Sequence, residues 1–489
     1  MKVSSAIFLA LCLGLSNDAR ATSFSDFFGP RFSGAQTTRT NQSPKNALDS
    51  IHRWNQIAID ASGLDHTPVA LGEIRTFGEQ LGPGRASRAM AIVHIAIFDS
   101  VNAILGGYQS YSGIQPVKPP VSLDAAVAQA AHDTLSALYP SQASAFDSLL
   151  ADDLSKINNK NERANGVSLG QRAAAAILAM RTNDGSQTPE PKLGITYFTS
   201  NLPGHWRQDP IGLQPVALGA HWGECVPFVL QSGSQFRVPP PPAMNSPEYL
   251  GAYNEVKSLG GDGVHTPSAR TPDQSFIGVF WAYDGTPSLC APPRLYNQIT
   301  VHIADQMNLN TIQLARLLAL VNSAMADTGI AVWDSKYFYD FWRPVGGIRE
   351  ADTDGNPDTT KDSTFTPLGA PASNLTGPNF TPPFPAYPSG HGGFGGAIFQ
   401  TMRRFFGTDN IAFTFVSDEF NGVTKDNAGN VRPLMPRSFT NLSQAEEENG
   451  QSRIYLGIHW QFDKTQAIAQ GRNVANYVFD HAFTPVSKK

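Results

Sequence analysis

The chain has 489 residues, a formal net charge of −5 at pH 7 and 41% hydrophobic residues. Its charged residues have mixed signs and form no long runs, so nucleic acid is not an expected partner and a small-molecule function is favoured. The 43 glycines and 36 prolines predict many loops. The apolar content excludes a disordered chain, and the length allows one elaborated domain or several.

The N-terminus has the pattern of an export signal. Lys2 precedes an apolar run at residues 6–15, and the Ala-Arg-Ala triplet at 19–21 has the small-x-small form that signal peptidases cleave. We therefore predict a signal peptide over residues 1–21 and a secreted or periplasmic mature protein. A buried N-terminal helix is the alternative, but the polar residues 16–18 would end it awkwardly. No later apolar stretch approaches the roughly 20 residues that span a bilayer, so we expect no membrane span in the mature chain.

Two cysteines, Cys225 and Cys290, remain after the predicted cleavage. An oxidising compartment makes a disulfide between them possible, and two buried free thiols are the alternative. The sequence leaves this choice open.

Regular structure in the N-terminal half is predicted to be helical. The segments 85–105, 123–139 and 169–180 are rich in Ala, Ile and Leu and carry apolar residues at three- and four-residue spacing, over lengths that exceed typical strands. Residues 185–295 lack this pattern and contain four consecutive prolines at 239–242. They predict a long ordered connection that lies over the bundle.

Helical periodicity returns in the C-terminal half, at 309–341, 392–406 and 444–480. We find no short repeat and no region of alternating strand pattern. The predicted fold class is therefore all-α, with helical bundles joined by long Pro/Gly-rich loops. One domain or two fused bundles would fit. The predicted division is an N-terminal helical half, 22–295, and a C-terminal helical half, 296–489.

A first cluster of charged residues is the motif WDSKYFYDFWRP, in which Lys336 and Arg343 are seven positions apart. If the helix continues to Arg343, both cations point from one face and suit a multiply charged oxyanion. Pro344 predicts a helix end close by. Taken alone, the motif favours an amphipathic helix whose basic residues meet solvent or pair with Asp334 and Asp340.

A second candidate is the glycine-rich motif PSGHGG at residues 388–393. Ser389 can cap a helix, and the glycines around it, Gly390 among them, let backbone N–H groups approach a ligand closely. A helix N-terminus of this kind binds anions, and His391 beside it can take or give a proton near neutral pH. A glycine-rich turn with an incidental histidine is the preferred interpretation of such a loop on its own.

The third cluster is the motif SRIYLGIHWQFD. Arg453 offers a planar fork to an oxyanion, and His459 offers an imidazole nitrogen as a nucleophile or metal ligand. On an unbroken helix the two would lie about 120° apart, so they converge only if the chain bends, and we expect the bend at Gly457. Asp463 can then accept from the other ring nitrogen of the histidine and determine its tautomer.

In this order, Lys-x6-Arg-Pro, Pro-Ser-Gly-His and Ser-Arg-x5-His resemble the tripartite signature of the superfamily that unites vanadium-dependent haloperoxidases with type 2 phosphatidic-acid phosphatases and bacterial acid phosphatases. Its members build an oxyanion site inside a helical bundle, and the resemblance implies two related four-helix bundles with the active site in the C-terminal one. The resemblance implies a hydrogen-bond cage formed by Lys336, Arg343, Ser389, Gly390 and Arg453. It also implies that His459 binds the central atom, vanadium or phosphorus, and that His391 is the acid–base histidine.

Features outside the signature favour the haloperoxidase branch. Lipid phosphatases of the superfamily span the membrane several times, and its soluble acid phosphatases are much shorter than this chain. The segments FIGVFWAYDG and PPRLYNQI also resemble haloperoxidase segments. Trp333 and Phe384 occupy positions where haloperoxidases place aromatic residues beside the halide route, although core packing is an alternative explanation. The resemblance also implies that Asp284 pairs with one of the arginines.

The implied cofactor is vanadate, without haem or flavin. The implied reaction uses hydrogen peroxide to oxidise a halide to hypohalous acid or an equivalent, which halogenates organic acceptors. In it, His391 manages proton transfer and Lys336 polarises the oxygen that the halide attacks. The alternatives are an exported acid phosphatase that uses the same cage with a histidine nucleophile, and a non-catalytic oxyanion-binding protein. Phe384 resembles the fungal chloroperoxidase and bacterial iodoperoxidase pattern, and the halide, the organic acceptor and the oligomeric state stay open.

Two other segments need an interpretation. The interval from His391 to Ser452 is long for the signature, which predicts an insertion around 418–437 that can reshape the entrance. The sequence DTDGNPD at 352–358 alternates oxygen donors like a calcium loop. It has proline where an EF-hand requires glycine and lacks the later glutamate, so a solvated turn is favoured over a calcium site.

Overall fold

The computed structural model describes residues 23–34 and 49–486. The predicted signal peptide lies outside the described residues, and the export that it implies stays a prediction. Fourteen α-helices make up most of the regular structure in the described part of the chain. The predicted all-α class is therefore confirmed, while the division of the chain at residue 295 stays a prediction.

In the described residues eight helices precede residue 281, and six of them begin after a residue whose side chain accepts a hydrogen bond from a first-turn N–H group. Ser122 and Asn159, for example, accept hydrogen bonds from first-turn N–H groups at the starts of two of them. The eight helices are α1 Phe24–Phe28, α2 Ser50–Asp65, α3 Gly82–Leu105, α4 Leu123–Leu138, α5 Ala143–Ser155, α6 Lys160–Met180, α7 Pro247–Leu259 and α8 Pro272–Phe280. The last two lie inside the region predicted as a long connection, which is therefore partly helical.

Six helices follow in the C-terminal part. They are α9 Pro293–Gln306, α10 Thr311–Tyr339, α11 Pro344–Arg349, α12 Gly390–Phe406, α13 Leu442–Tyr455 and α14 Gln461–His481. The segment predicted as helical at 444–480, with a bend at Gly457, is thus two helices. The helix that carries Lys336 also ends earlier than expected, because Asp340 adopts a left-handed backbone with φ 48°. Arg343 lies beyond that turn, as the residue that precedes α11.

The longest helices form the centre of the fold. Helix α3 packs against α4, α6 and α10, and α10 also packs against α12 and α14. By length and composition alone, α3 and α10 could span a membrane, because their most apolar windows have mean hydropathies of 1.5 and 1.2. This differs from our expectation that no later stretch is long and apolar enough. However, 89% and 100% of these windows are buried inside the protein. Helices that are apolar on all sides and enclosed in this way are core helices.

The described residues also contain four short strands in two antiparallel pairs. β1 Ser33–Gly34 pairs with β2 Leu375–Thr376, and β3 Phe413–Asn421 pairs with β4 Leu434–Phe439. The second pair is a hairpin that overlaps the predicted insertion. The expectation that no alternating strand pattern exists was wrong there, since alternate residues of β3 are buried. The inward side chains after Phe415 are Ser417 and Glu419, so the hydrophobic alternation ends after two residues and is hard to detect.

Both cysteines are buried free thiols, and the disulfide does not form. The Sγ atom of Cys290 lies 2.8 Å from the hydroxyl of Ser62. At the possible calcium loop, the carboxylate of Asp354 accepts hydrogen bonds from the backbone of Asn356 and the hydroxyl of Thr359. The described ranges contain no group of three His, Cys, Asp or Glu residues suited to a metal ion.

Candidate active site

A cavity beside α10 and α12 contains most of the predicted site residues. Its atom-free space is about 550 Å³, with open space at the mouth included. Its charged and imidazole lining consists of Asp284, His391, Arg453 and His459. The apolar lining includes Leu218, Trp333, Phe380, Pro382, Pro383, Phe384 and Phe394. An apolar wall with a few convergent polar groups is typical of a small-molecule site.

Lys336 lies without exposed surface near the C-terminal end of α10. Its Nζ donates to the backbone carbonyls of Pro385, at 2.8 Å, and Ala386, at 3.0 Å. Burial lowers the pKa of this amine well below its ordinary value, and the charge of Arg343 lowers it further, while Asp463 opposes both effects. An anion beside the amine would therefore favour its charged form.

Arg343 reaches the same region from the start of α11. Its guanidinium donates from Nε to the carbonyl of Phe384 at 2.9 Å, and from Nη1 to the carbonyl of Ile458 at 2.8 Å and to Nε2 of His459 at 2.9 Å. Burial lowers the pKa of Arg343 to about 9. Lys336 and Arg343 therefore converge through the backbone at 384–386, although they do not share the helical face predicted from their spacing.

The glycine-rich motif forms the N-terminus of α12. The hydroxyl of Ser389 caps the helix by accepting from the N–H of Gly392 at 3.3 Å. The N–H of Gly390 lies in the first turn, where backbone donors have no partner within the helix. Packing explains the other glycines, because a Cβ at Gly393 would lie only 2.7 Å from a methyl group of Val332. The motif therefore combines first-turn backbone donors with close helix packing.

Backbone contacts determine the tautomer of His391. Its Nε2 lies 2.5 Å from the carbonyl oxygen of Ala282. A carbonyl only accepts, so Nε2 carries the hydrogen and Nδ1 carries the lone pair in the neutral ring. Burial lowers the pKa of His391 well below its ordinary value, and Arg453 lowers it further. The carbonyl of His391 itself accepts from the hydroxyl of Tyr296 at 3.1 Å and the amide of Asn449 at 2.9 Å.

The chain bends between α13 and α14 at Gly457, as expected. Gly457 has φ 72°, and a Cβ there would overlap the carbonyl of Gly260. Only glycine adopts such a backbone in contact with another chain segment without strain. The bend brings Arg453, from the last turn of α13, and His459, from the connection, to the wall of one cavity.

His459 is held from both sides of its ring. Its Nδ1 donates to Oδ2 of Asp463 at 2.7 Å, and its Nε2 accepts from Arg343, which can only donate. The lone pair therefore lies on Nε2. Burial lowers the pKa of His459 well below its ordinary value, and the charges of Arg343 and Lys336 add to this. Burial raises the pKa of Asp463 to about 7, against a hydrogen bond from the backbone of Trp460.

Arg453 pairs with Asp284, as the resemblance implied. Its Nη2 donates to both carboxylate oxygens, at 2.7 and 2.9 Å. The pair is almost fully buried, with side-chain exposures of 1% and 5%. Burial raises the pKa of Asp284, and the charge of Arg453 opposes this. The pair leaves Nε and Nη1 of the guanidinium without a hydrogen-bond partner.

Three guanidinium nitrogens in this region are buried and have no hydrogen-bond partner. They are Nη2 of Arg343 and Nε and Nη1 of Arg453. Buried donors of this kind are rare in proteins, and three of them in one region suit an acceptor group. With Lys336, the region has three cations against two carboxylates, next to the lone pair of His459. This arrangement suits an anion with several acceptor oxygens.

Two aromatic rings stand beside the cations. The rings of Trp333 and Phe384 have centroids 5.0 Å apart and both line the cavity. Nζ of Lys336 lies 5.0 Å from the centroid of Phe384 and 5.7 Å from that of Trp333. The indole N–H of Trp333 donates to the carbonyl of Leu218 at 3.0 Å. The rings thus form an apolar wall next to a buried amine, whatever their role in halide selection.

Sequence reasoning missed three contacts at His391. The carbonyl of Ala282 has no side-chain signature, so no sequence pattern could reveal it. Tyr296 lies in the segment PPRLYNQI that was identified by resemblance, but nothing in that segment indicated its hydroxyl contact. Asn449 is a buried polar residue of α13, and its position opposite α12 depends on the tertiary fold.

Similar proteins share this fold and these motifs. A family model described as the VCPO second helical-bundle domain matches residues 316–488. Vanadium chloroperoxidase of Curvularia inaequalis is 31% identical, over 85% of this chain and 79% of that protein. The crystal structure of the first bacterial vanadium-dependent iodoperoxidase superposes with a TM-score of 0.70 at 24% identity, over 92% of this chain and all of that one. An apo bacterial vanadium-dependent chloroperoxidase superposes with a TM-score of 0.61 at 17% identity, over 82% and 94%.

The fold is a helical bundle, and its cation-rich cavity suits an oxyanion. The chain belongs to the vanadium haloperoxidase family, since a curated member is 31% identical over most of both sequences. It is therefore an enzyme of an oxidoreductase family, and the resemblance stated from its three motifs is confirmed. The structural neighbours independently support the all-α fold.

Proposed function

We propose that this protein is a vanadate-dependent haloperoxidase that uses hydrogen peroxide to oxidise a halide, giving hypohalous acid or an equivalent that halogenates organic acceptors. The observation that carries the proposal is the set of three unpartnered buried guanidinium nitrogens of Arg343 and Arg453 beside the lone pair of His459. The name of the 31% identical relative, vanadium chloroperoxidase, supports the same function.

The residues present fit vanadate. A tetrahedral oxyanion offers several acceptor oxygens, and the unpartnered guanidinium nitrogens of Arg343 and Arg453 supply donors for them. In our proposal Arg343, Arg453 and Lys336 neutralise its charge, and Ser389 and Gly390 contribute neutral donors at the start of α12. His459 binds the vanadium through Nε2, and this atom already carries the lone pair because Asp463 accepts from Nδ1.

When bound, vanadate supplies a Lewis acid that activates hydrogen peroxide for attack by halide without a change of oxidation state. The protein's own contribution is charge, orientation and proton transfer. Lys336 presents a cation inside an apolar wall, where its electrostatic effect is stronger than in water. The ring pair of Trp333 and Phe384 excludes water from that side of the amine.

His391 is proposed as the acid–base group. Its Nε2–H is occupied by the carbonyl of Ala282, so any proton taken from peroxide goes to Nδ1. The neutral ring is favoured in the empty cage, because burial and Arg453 lower its pKa. An oxyanion in the cage would offset the charge of Arg453 and make protonation easier. His391 can then return the proton to a leaving oxygen.

Reconstitution with vanadate tests the proposal. The protein is stripped of bound anions, loaded with vanadate and assayed for oxidation of chloride, bromide and iodide by hydrogen peroxide. We expect vanadate-dependent oxidation of at least one halide, and its loss in His459→Ala. His481→Ala, an exposed histidine at the end of α14, serves as the control and should behave as the parent does. Absence of oxidation with all three halides would overturn the proposal.

A parallel assay separates the alternative functions. The same preparations, without vanadate, are tested for hydrolysis of a phosphate monoester. Phosphatase activity that requires His459, with no halide oxidation, would favour the acid phosphatase. Tight vanadate binding without either activity would favour an oxyanion-binding protein. Export of the protein, which rests on the predicted signal peptide over 1–21, is a separate proposal, and mass spectrometry of the mature N-terminus tests it.

A further inference from the structure

The hairpin of β3 and β4 packs directly against the turn that follows α8. The hydroxyl of Ser417 on β3 donates to the carbonyl of Phe280 at 2.7 Å. The next residue, Asp418, donates its backbone N–H to the hydroxyl of Tyr283 at 2.6 Å. Two successive residues of one strand therefore hold the two ends of a four-residue segment, 280–283.

The second strand holds the middle of the same segment. The indole N–H of Trp281 donates to Oε1 of Glu448 at 2.9 Å. Arg437 of β4 donates to both oxygens of that carboxylate, at 2.6 and 2.7 Å. The ring of Phe439, also on β4, lies with its centroid 5.6 Å from that of Trp281. Both β3 and β4 thus contact the segment 280–283 and hold it in place.

A closed ring of hydrogen bonds ties this assembly to α9. The hydroxyl of Tyr283 donates to Oε1 of Gln298 at 3.1 Å, and Nε2 of Gln298 donates to Asp418 at 3.0 Å. Arg294 donates to the same carboxylate at 2.8 Å. The turn cannot shift without breaking contacts to both the hairpin and the helix.

The fastened turn carries two groups of the candidate active site. Its Ala282 carbonyl accepts from Nε2 of His391 at 2.5 Å, and Asp284 at its end pairs with Arg453. The hairpin itself does not line the cavity. It is therefore placed to act on the site through this turn.

We propose that Ser417 and Asp418 are positioning residues, which hold the turn so that the Ala282 carbonyl keeps His391 in its Nε2–H tautomer with Nδ1 free. The consequence for catalysis rests on the function proposed above, while the positioning itself does not. The insertion, which was predicted to reshape the entrance, would then act on His391 from outside the cavity.

Ser417→Ala removes the contact to the carbonyl of Phe280, and Ser417→Thr restores a hydroxyl. Thr134→Val is the matched control, because Thr134 is also fully buried and donates to a backbone carbonyl at 2.8 Å, in α4. The first readout is the ¹⁵N spectrum of imidazole nitrogens in full-length protein labelled at histidine, with His391→Ala to assign the signal. The second readout is functional: the vanadate Kd, and kcat and KM for hydrogen peroxide, are measured for each variant.

We expect the parent spectrum to show protonated Nε2 at His391, and Ser417→Ala to mix the two tautomers. We also expect about a tenfold lower kcat in Ser417→Ala with little change in vanadate Kd, recovery in Ser417→Thr, and parental values in Thr134→Val. An unchanged His391 signal in Ser417→Ala would overturn the positioning role. Failure of the parent to oxidise any halide would refute the proposed function alone, because the spectrum would still test the positioning.

Discussion

The substitution Asp463→Asn tests how the carboxylate charge of Asp463, in α14, contributes to the binding role of His459. In the parent protein, Oδ2 of Asp463 accepts both Nδ1–H of His459 at 2.7 Å and the backbone N–H of Trp460 at 3.0 Å. An asparagine oxygen can replace both contacts but carries no charge. The reversed amide would force the hydrogen onto Nε2 of the ring, where it would face the Nη1–H of Arg343 at a donor distance of 2.9 Å. The substitution should therefore retain the tautomer and lose the charge.

The expected loss of vanadate affinity follows from the hydrogen bond that Asp463 makes to a metal-binding histidine. Partners of metal-binding histidines contribute about 10–100-fold in affinity or activity, which is about 1.4–2.8 kcal/mol at 25 °C. Since the tautomer is retained, we expect the lower end, a vanadate Kd raised about tenfold. The new NH₂ group would face the place where Oδ1 has no partner in the parent. That buried donor should lower the free energy of unfolding by about 1–3 kcal/mol.

Vanadate titration of the folded protein measures the change, with urea unfolding in parallel. Asp327→Asn is the matched control, because Asp327 is also a fully buried carboxylate and accepts from three backbone N–H groups at 228–230. The control should lose stability and keep the parental vanadate Kd. Equal vanadate affinity in Asp463→Asn and the parent would refute the role given to this carboxylate.

Three further predictions concern charge, packing and pH. Lys336→Met should raise or preserve the melting temperature, because it removes a buried amine, while halide oxidation falls at least about 100-fold; residual activity near the parental rate would contradict this. Gly471→Ala should lower the free energy of unfolding in urea by about 1–3 kcal/mol, because its Cβ would overlap the carbonyl of Gly393. Gly251→Ala on α7 has free space around its Cβ and should raise that free energy by about 0.5–1 kcal/mol. Equal stabilities of the two variants would contradict the close packing of α12 and α14. Burial raises the pKa of Glu419 from 4.5 to about 7, so the folded state binds its proton more tightly and this group's contribution to stability falls as pH rises through that window. Glu419→Gln should therefore gain on the order of 1–3 kcal/mol relative to the parent between pH 4 and 8, and a pH-independent difference would contradict the shift.

Local chemistry explains which parts of the fold the sequence could predict. Helix α12 begins where Ser389 can cap it, and the bend between α13 and α14 lies at Gly457, because both depend on the residue type at one position. The long apolar helices α3 and α10 follow from composition and spacing in the same way. The charged residues of the three motifs could be found because they are close in sequence and match a known signature.

Contacts between distant segments explain the rest. The spacing would place Lys336 and Arg343 on one helical face only if the helix continued to Arg343. The chain instead turns at Asp340, whose carbonyl accepts from the backbone of Trp206 at 2.8 Å. That partner lies in the long connection, more than a hundred residues earlier, and the motif itself holds no sign of it. The hairpin was missed for a related reason, since Ser417 faces inward to meet the carbonyl of Phe280 and so interrupts the apolar pattern.

The central claim is that one vanadate per chain, held through His459, makes this protein a haloperoxidase. The most direct test is a titration in which vanadate is added to the stripped protein and the initial rate of halide oxidation by hydrogen peroxide is recorded after each addition. We predict that the rate rises linearly and stops at one vanadate per chain, while His459→Ala stays at the blank rate throughout. A rate in His459→Ala that matches the parent, or no oxidation of any halide at full loading, would contradict the account.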